Sequence, residues 1–295
     1  MIVWKNGGFY TSDEVKVDIT THALHYGTSV FEGIRAYNTP KGVAVLALKE
    51  HVQRFIYSMS VLGMRTKYSV DELSEAILLT VKKSGLDSCY IRPLAYFGTG
   101  GVSVLPKEDH QVDTIIYCVP LGKYLGADAV DVKISKYIRI HPDSTVCDAK
   151  IGGHYINSLL ASAECRGTHY HESILLDSSG NIAEAAAMNI FMVKNNVIKT
   201  TPLGTILNGI TRRVVIRILK GLGYVVKEEY FKPEELKSAD EVFLCGTAAE
   251  ITSVASVDDI KIINSSSSNI SEEVKECFDR VKKAELYPEL LTFVN

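Results

Sequence analysis

The apolar residues of this chain fall into many short runs that glycines and polar residues interrupt, and none approaches the ~20 residues needed to cross a bilayer. Some runs have the length and the β-branched or aromatic content of strands, whereas others repeat at helical spacing. The two kinds occur in two mixed blocks and lack the regular strand–helix alternation of a parallel α/β sheet. The pattern therefore predicts an α+β fold.

The first block combines strand patterns with two amphipathic helices. Val52, Phe55 and Met59 form an apolar stripe on the first helix, and Gly85 stands where the second helix needs a C-cap. We expect strands over 2–5, 43–48, 89–97 and 114–119 and helices over 50–62 and 71–84.

The second block is richer in strands. The turn sequences Ser178–Gly180 and Asn195–Asn196 each lie between two apolar runs, which predicts two hairpins. We expect strands over 173–177, 181–183, 189–193, 197–200, 224–226 and 241–245 and helices over 211–222, 233–239 and 272–281.

A stretch without clear periodicity separates the two blocks. Residues 122–127 contain two glycines and fit neither a helical nor a strand pattern. They are predicted to be a linker between a small domain, 1–121, and a larger one, 128–295.

Charge and composition argue against several classes of function. The 295 residues carry a formal net charge of −3, which gives no sign of a nucleic-acid or membrane partner. The basic residues Lys133, Lys136 and Arg139 are interpreted as a solvated face. The six cysteines include no C-x-x-C pair, so we expect reduced, mostly buried thiols. The first residues lack the features of a signal peptide, which predicts a cytoplasmic protein.

Several common catalytic signatures are missing from the sequence. Neither G-x-G-x-x-G nor the P-loop pattern occurs, which argues against nicotinamide and nucleoside-triphosphate chemistry. The G-x-S-x-G turn of hydrolases and the H-E-x-x-H zinc motif are also missing. His22 and His25 lie close together without a third ligand at suitable spacing, so we expect hydrogen-bonded histidines and no metal.

Four segments combine glycines with polar residues without an obvious structural need: 22–35, 148–157, 208–212 and 246–250. In the second, two glycines follow Lys150, which predicts a close approach of the backbone to a ligand. The last two present backbone N–H groups and a hydroxyl, which suit either an anion site or an ordinary helix cap. Spacing alone does not decide between these interpretations.

Together the segments closely resemble the branched-chain amino-acid aminotransferases, which belong to class IV (fold type IV) of the pyridoxal-phosphate enzymes. The shared motifs are H-x-L-H-Y-G-x-x-x-F-E-G-I-R, Y-I-R-P, A-K-x-G-G-x-Y, G-I-T-R and G-T-A-A-E, in that family's order. The resemblance implies a two-domain α+β fold like that of D-amino-acid aminotransferase, with the cofactor at the domain interface. It also implies pyridoxal 5′-phosphate-dependent transamination between branched-chain L-amino acids and 2-oxoglutarate.

The resemblance assigns cofactor contacts to individual residues. Lys150 is similar to the lysine that binds the cofactor covalently, and Glu184 to the carboxylate on its pyridine nitrogen. Tyr155 is similar to the tyrosine on the ring oxygen, and Arg54 to the arginine on the phosphate. Further cofactor contacts are implied for Leu207, Ile210, Thr211 and Thr247.

The resemblance also implies a substrate pocket. Tyr90 and Arg92 stand two residues apart on a predicted strand, so both side chains reach one face. Apolar walls are implied for Tyr26, Phe31 and Tyr124, and donors to the α-carboxylate for Ala248 and Ala249. Members of the family are at least homodimers, with the loop near 101–105 covering the partner's site.

Two kinds of alternative stay open at this point. One is another class IV activity, namely D-amino-acid or (R)-amine transamination or aminodeoxychorismate lyase, against which the Y-x-R pattern at 90–92 argues. The other is a non-catalytic protein that has kept the fold. The complete set of Lys150, Glu184 and Arg54 argues against that loss of function.

Overall fold

The computed structural model describes residues 1–100, 103–122, 125–127, 129–263 and 269–294. Its contacts divide the chain into two compact units, the first comprising 1–122, 149–154 and 281–295 and the second 123–148 and 155–280. The sequence predicts that 149–154 and 281–295 belong to the second domain. They join the first unit because Ile151 forms a bridge with Val30, and because Leu291–Phe293 pairs with the strand Gly42–Leu46. The predicted linker lies partly outside the described residues.

The first unit contains an antiparallel sheet. Its strands are β1 (Ile2–Lys5), β2 (Gly8–Thr11), β3 (Ser29–Phe31), β4 (Ile34–Thr39), β5 (Gly42–Leu46), β6 (Cys89–Phe97), β7 (Val112–Val119) and β17 (Leu291–Phe293), and its helices are α1 (His22–Tyr26), α2 (Leu48–Val61) and α3 (Val70–Ser84). Within the described residues the order is β17-β5-β4-β6-β7-β1-β2, with β3 beside β6.

The two long helices of the first unit form for the reasons that the sequence indicates. The predicted stripe of α2 is buried, and Phe55 packs in one core with Ile34 and Ile91 of the sheet. α3 begins with a capping box between Ser69 and Glu72 and ends at a left-handed glycine. Both helix predictions are confirmed.

The second unit contains a mixed sheet. Its strands are β8 (Ala129–Ile138), β9 (Glu172–Leu176), β10 (Ile182–Ala185), β11 (Asn189–Lys194), β12 (Val197–Thr200), β13 (Val226–Glu228), β14 (Glu241–Gly246), β15 (Glu250–Val257) and β16 (Ile260–Lys261). Its helices are α4 (Tyr155–Ala163), α5 (Ile210–Gly221), α6 (Pro233–Lys237) and most of α7 (Ile270–Lys282). The described strands run in the order β10-β9-β8-β15-β14-β11-β12-β13, with β16 beside β15.

Local turn chemistry explains the hairpins of the second unit. Asn195 and Asn196 both have left-handed φ angles, as a tight turn between β11 and β12 requires, and Gly180 is left-handed between β9 and β10. Both hairpin predictions are confirmed. The last predicted strand before α6 begins two residues later than expected, at Val226, where it pairs in parallel with β12.

Two further observations concern helices and thiols. Among the described residues, no helix combines the length and the apolar character required to pass through a membrane. Five of the cysteines are buried and Cys165 is half-buried, all as free thiols.

Candidate active site

Backbone hydrogen bonds on both sides fix Lys150 in the first unit. Its N–H donates to Ser58 Oγ of α2 at 2.9 Å, and its carbonyl oxygen accepts the N–H of Phe31 at 3.1 Å. The Lys150 Nζ atom lies 4.9 Å from the centre of the Phe31 ring. The amine is therefore carried by a segment that is held against both a helix and a strand.

The two glycines after Lys150 allow a close approach, but to the chain itself. A Cβ on Gly152 would collide with Ser29 Oγ, and one on Gly153 would lie 3.3 Å from the carbonyl oxygen of Gly27. Gly153 also donates its N–H to that oxygen at 3.1 Å. These contacts join the motifs at 22–35 and 148–157.

Arg54 forms a buried ion pair with Glu32. The two groups meet in a forked arrangement, with Nε to Oε1 at 2.6 Å and Nη2 to Oε2 at 2.9 Å. His51 Nδ1 lies 2.7 Å from Oε2, and the Glu32 side chain is fully buried. The sequence predicts no role for Glu32 or His51.

Burial and charge act in opposite directions on this cluster. Burial by itself raises the pKa of Glu32, but the charge of Arg54 and the contact with His51 outweigh it and hold that pKa well below its usual range. Burial lowers the pKa of His51, although Glu32 opposes this. At neutral pH the imidazole is therefore neutral and donates its Nδ1–H to an ionised Glu32.

Tyr90, Arg92 and Phe31 lie together in the first unit. Arg92 Nη2 donates to Tyr90 Oη at 3.0 Å, and the guanidinium carbon lies 4.6 Å from the centre of the Phe31 ring. The Arg92 Nε atom is buried and has no hydrogen-bond partner among the described residues. Gly33 makes room for this pair, because a Cβ there would collide with the Tyr90 hydroxyl.

In the second unit, Glu184 lies on β10 and is only 6% exposed. It accepts hydrogen bonds from Arg139 Nε at 2.7 Å, from Asn189 Nδ2 at 3.0 Å and from the N–H of Leu207 at 3.3 Å. The interpretation of Arg139 as part of a solvated face is wrong. Its side chain is buried because it pairs with this carboxylate just beyond the end of β8.

Asn189 links the carboxylate to the start of α5. Its Nδ2 also donates to the carbonyl oxygen of Leu207 at 3.1 Å. A Cβ on Gly209 would collide with Asn189 Oδ1, so glycine at this position provides the space that the Asn189 amide occupies. Gly209 is the N-cap of α5 and has no side chain to cap the N–H groups of the first turn, where Ile210 and Thr211 are buried.

The remaining predicted residues are distributed over both units. Tyr155 is the first residue of α4, and the half-buried residues Thr247, Ala248 and Ala249 form the turn between β14 and β15. Tyr26 ends α1 with its ring centre 4.6 Å from that of His22. Tyr124 lies outside the described residues.

Both histidines of the first motif are hydrogen-bonded. The ring nitrogens of His22 contact Thr28 Oγ1 at 2.7 Å and the carbonyl oxygen of Ser103 at 2.8 Å, and His25 contacts the carbonyl oxygen of Ile19. Within the described part of the chain, His, Cys, Asp and Glu side chains form no cluster of three or more that could hold a metal.

The fold and these motifs define a class of enzyme. Residues 29–257 match the class IV amino-transferase family, and the chain belongs to this family. The branched-chain-amino-acid aminotransferase of Escherichia coli (strain K12) is 42% identical over 281 residues, which cover 94% of this chain and 91% of that protein.

Solved structures agree with the sequence comparison. The crystal structure of the Escherichia coli branched-chain amino acid aminotransferase superposes with a TM-score of 0.96 at 40% identity, covering 100% of this chain and 99% of that one. The T.th. branched-chain amino acid aminotransferase complexed with N-(5′-phosphopyridoxyl)-L-glutamate has a TM-score of 0.94 at 39% identity, with coverages of 100% and 98%. The predicted fold-type IV α+β class is confirmed.

Proposed function

We propose that this protein catalyses transamination between branched-chain L-amino acids and 2-oxoglutarate, with pyridoxal 5′-phosphate as cofactor. The observation that carries the proposal is the cluster in the first unit, where the Lys150 amine, the Phe31 ring and the Tyr90–Arg92 pair lie together. It combines a primary amine with an apolar wall and a cation. The branched-chain aminotransferases among the relatives support the same activity.

The donor groups of each unit fit the cofactor chemically. Bound pyridoxal phosphate supplies a carbonyl group that reacts with amines and a ring that withdraws electrons from the substrate's α-carbon. The first unit offers the amine of Lys150 for the carbonyl and the guanidinium of Arg54 for the phosphate. The second unit offers the ionisable carboxylate of Glu184 for the ring nitrogen. The other cofactor contacts that we propose are Tyr155, Leu207, Ile210, Thr211 and Thr247.

Lys150 also moves the proton during the reaction. We assign to its Nζ atom the removal of the proton from the α-carbon of the amino acid and the later return of that proton. Because Ser58 and Phe31 hold the backbone of Lys150, the amine moves only by rotation within its own side chain. The chain thus supplies one base for both directions of the proton transfer.

The substrate pocket must accept two different side chains. Phe31 gives it an apolar wall for a branched side chain, and Arg92 can bind the distal carboxylate of 2-oxoglutarate through a forked contact. We assign Tyr26 and Tyr124 to the walls and the N–H groups of Ala248 and Ala249 to the α-carboxylate. The protein is expected to act on these small molecules as a cytoplasmic homodimer or higher homo-oligomer.

A panel of amino donors tests the proposal. With 2-oxoglutarate as acceptor, leucine, isoleucine and valine should give glutamate, with kcat/KM values at least about tenfold above those for D-alanine and an (R)-amine. Faster reaction of D-alanine or of the (R)-amine would favour another class IV activity. The absence of turnover with every donor would instead support a non-catalytic protein.

A further inference from the structure

Glu32 is a fully buried carboxylate whose two oxygens are both engaged. Oε1 accepts from Arg54 Nε at 2.6 Å, and Oε2 accepts from Arg54 Nη2 at 2.9 Å and from His51 Nδ1 at 2.7 Å. Replacing a buried ion pair by apolar side chains of the same volume is often neutral or stabilising. The stability of the fold alone therefore does not explain why Arg54 and Glu32 form a two-point ion pair in the core.

The frame that holds Glu32 also holds Lys150. Ser58, which accepts the N–H of Lys150, lies one helical turn after Arg54 on α2. Phe31, the chain neighbour of Glu32, donates its N–H to the carbonyl oxygen of Lys150. The helix α2 and the segment at Phe31 and Glu32 therefore hold both the Arg54 side chain and the backbone of Lys150.

We propose that Glu32 is a positioning residue, which holds the Arg54 guanidinium at the place where the cofactor phosphate binds. The inference rests on the proposed function, in which Arg54 contacts that phosphate. Glu32 accepts hydrogen bonds from Nε and Nη2 of Arg54 and so sets the plane of the guanidinium. His51, as a neutral donor to Oε2, keeps the carboxylate in this orientation.

The phosphate dependence of cofactor binding tests this role. Dissociation constants for pyridoxal phosphate and for pyridoxal, which lacks the phosphate, are measured on the full chain freed of cofactor. Glu32→Asp keeps the charge but draws the carboxylate back by one carbon, so that the fork is lost. We expect its affinity for pyridoxal phosphate to fall about 10- to 50-fold and its affinity for pyridoxal to change by less than about threefold. Equal losses for both ligands would overturn the proposal, because a residue that only braces the fold affects both alike.

Further variants separate this proposal from the function on which it rests. Arg54→Gln should lower the ratio of the two affinities, and Glu32→Asp added to it should lower that ratio no further. If Arg54→Gln leaves the ratio unchanged, the phosphate role of Arg54 fails. If Arg54→Gln lowers the ratio and Glu32→Asp does not, only the positioning role of Glu32 fails.

Two more variants guard against general damage to the fold. Asp113→Asn alters another buried carboxylate of the first unit, which pairs with Lys5, and should leave the ratio unchanged. Where Glu32→Asp does not fold, His51→Leu takes its place, since it removes only the donor to Oε2. It should lower the ratio about three- to tenfold, and an unchanged ratio in a folded His51→Leu protein contradicts the proposal.

Discussion

Each unit of the molecule contains a buried pair of an arginine and a carboxylate, and the two pairs differ in their contacts. In the first pair one guanidinium contacts both carboxylate oxygens, whereas in the second pair the carboxylate accepts hydrogen bonds from three residues. In the first unit, Glu32 is fully buried and Arg54 is the more exposed partner. In the second unit, Glu184 is held by Arg139 and also by Asn189 and a backbone N–H. The contacts of Glu32 therefore fix the plane of one guanidinium, whereas those of Glu184 fix the carboxylate itself.

In the proposed function, this difference suits each pair to a different chemical group of the cofactor. A phosphate requires an oriented cation, and a protonated ring nitrogen requires an oriented anion. We expect that damage to the pair of the first unit releases the cofactor, and that damage to the pair of the second unit leaves the cofactor bound but slows turnover. The predictions below test this division.

The largest effect is expected for Arg54→Ala. This change removes the proposed phosphate donor and leaves Glu32 buried without its cation. We expect cofactor affinity to fall by roughly 2–5 kcal/mol and the free energy of unfolding to fall by about 3–5 kcal/mol. Dialysis followed by absorbance, and chemical denaturation of the cofactor-free protein, measure the two effects. The exposed Arg65→Ala is the matched control, and cofactor retention equal to that of the parent would refute the assignment.

Glu184→Gln should give the opposite combination of effects. The amide keeps the shape of the side chain but removes the anion, so we expect kcat to fall about 10²- to 10³-fold while the cofactor survives dialysis. Steady-state kinetics with leucine and 2-oxoglutarate measure the loss. Glu172→Gln changes another buried carboxylate of the same unit and should leave kcat within about twofold. Loss of cofactor from Glu184→Gln would contradict the expectation that the pair of the second unit affects turnover and not cofactor retention.

Arg92→Ala tests the other cation of the first unit. Only 2-oxoglutarate then brings an unpaired carboxylate into the pocket. Its kcat/KM should therefore fall roughly 30- to 150-fold more than the kcat/KM of the leucine-derived oxo acid, which corresponds to about 2–3 kcal/mol of activation free energy. Measurement of both half-reactions gives the difference. Parallel losses would mean that Arg92 only supports the strand, and they would weaken the preference for a branched-chain enzyme over other class IV activities.

Glu172 shows what a buried carboxylate does when burial prevails over its stabilising contacts. Burial raises its pKa to about 7, against the hydrogen bonds from Ser173 and Ser162. Between pH 4.5, its ordinary value, and about 7, the unfolded chain has released a proton that the folded chain keeps. Stability therefore falls as the pH rises through this window.

Glu172→Gln stays neutral and should escape this loss. We expect it to be more stable than the parent by about 3 kcal/mol at pH 8, with the gain disappearing near pH 4. Urea denaturation at both pH values gives the two differences. A gain that is equal at the two pH values would show that the titration of Glu172 is not its cause.

The sequence predicted those elements whose signals are local. The stripe of α2, the capping residues of α3 and the asparagine turn between β11 and β12 are each determined by neighbouring residues, and the structure confirms them. The strands β8 and β15 were not predicted, although β8 alternates apolar and polar residues as a half-buried strand does. Their pairing with each other joins segments more than 100 residues apart, which no local pattern reveals.

The same limit applies to the candidate site. The resemblance implied roles for Arg54 and Glu184, but their partners Glu32 and Arg139 lie 22 and 45 residues away in sequence. Arg139 follows Lys133 and Lys136, so that local charge indicated a solvated face. The glutamate in F-E-G-I-R was visible in the sequence, but only the fold brings it to α2. The burial of a charged residue depends on such distant partners.

The most direct test of the whole account is to locate the covalent attachment of the cofactor. Borohydride reduction of the protein loaded with pyridoxal phosphate, followed by digestion and peptide mass analysis, identifies the modified lysine. We predict a single adduct on the peptide that contains Lys150, and no adduct there in Lys150→Ala, which should still bind the cofactor but lose transamination. An adduct at any other lysine of the unaltered chain would contradict the site and the function derived from it.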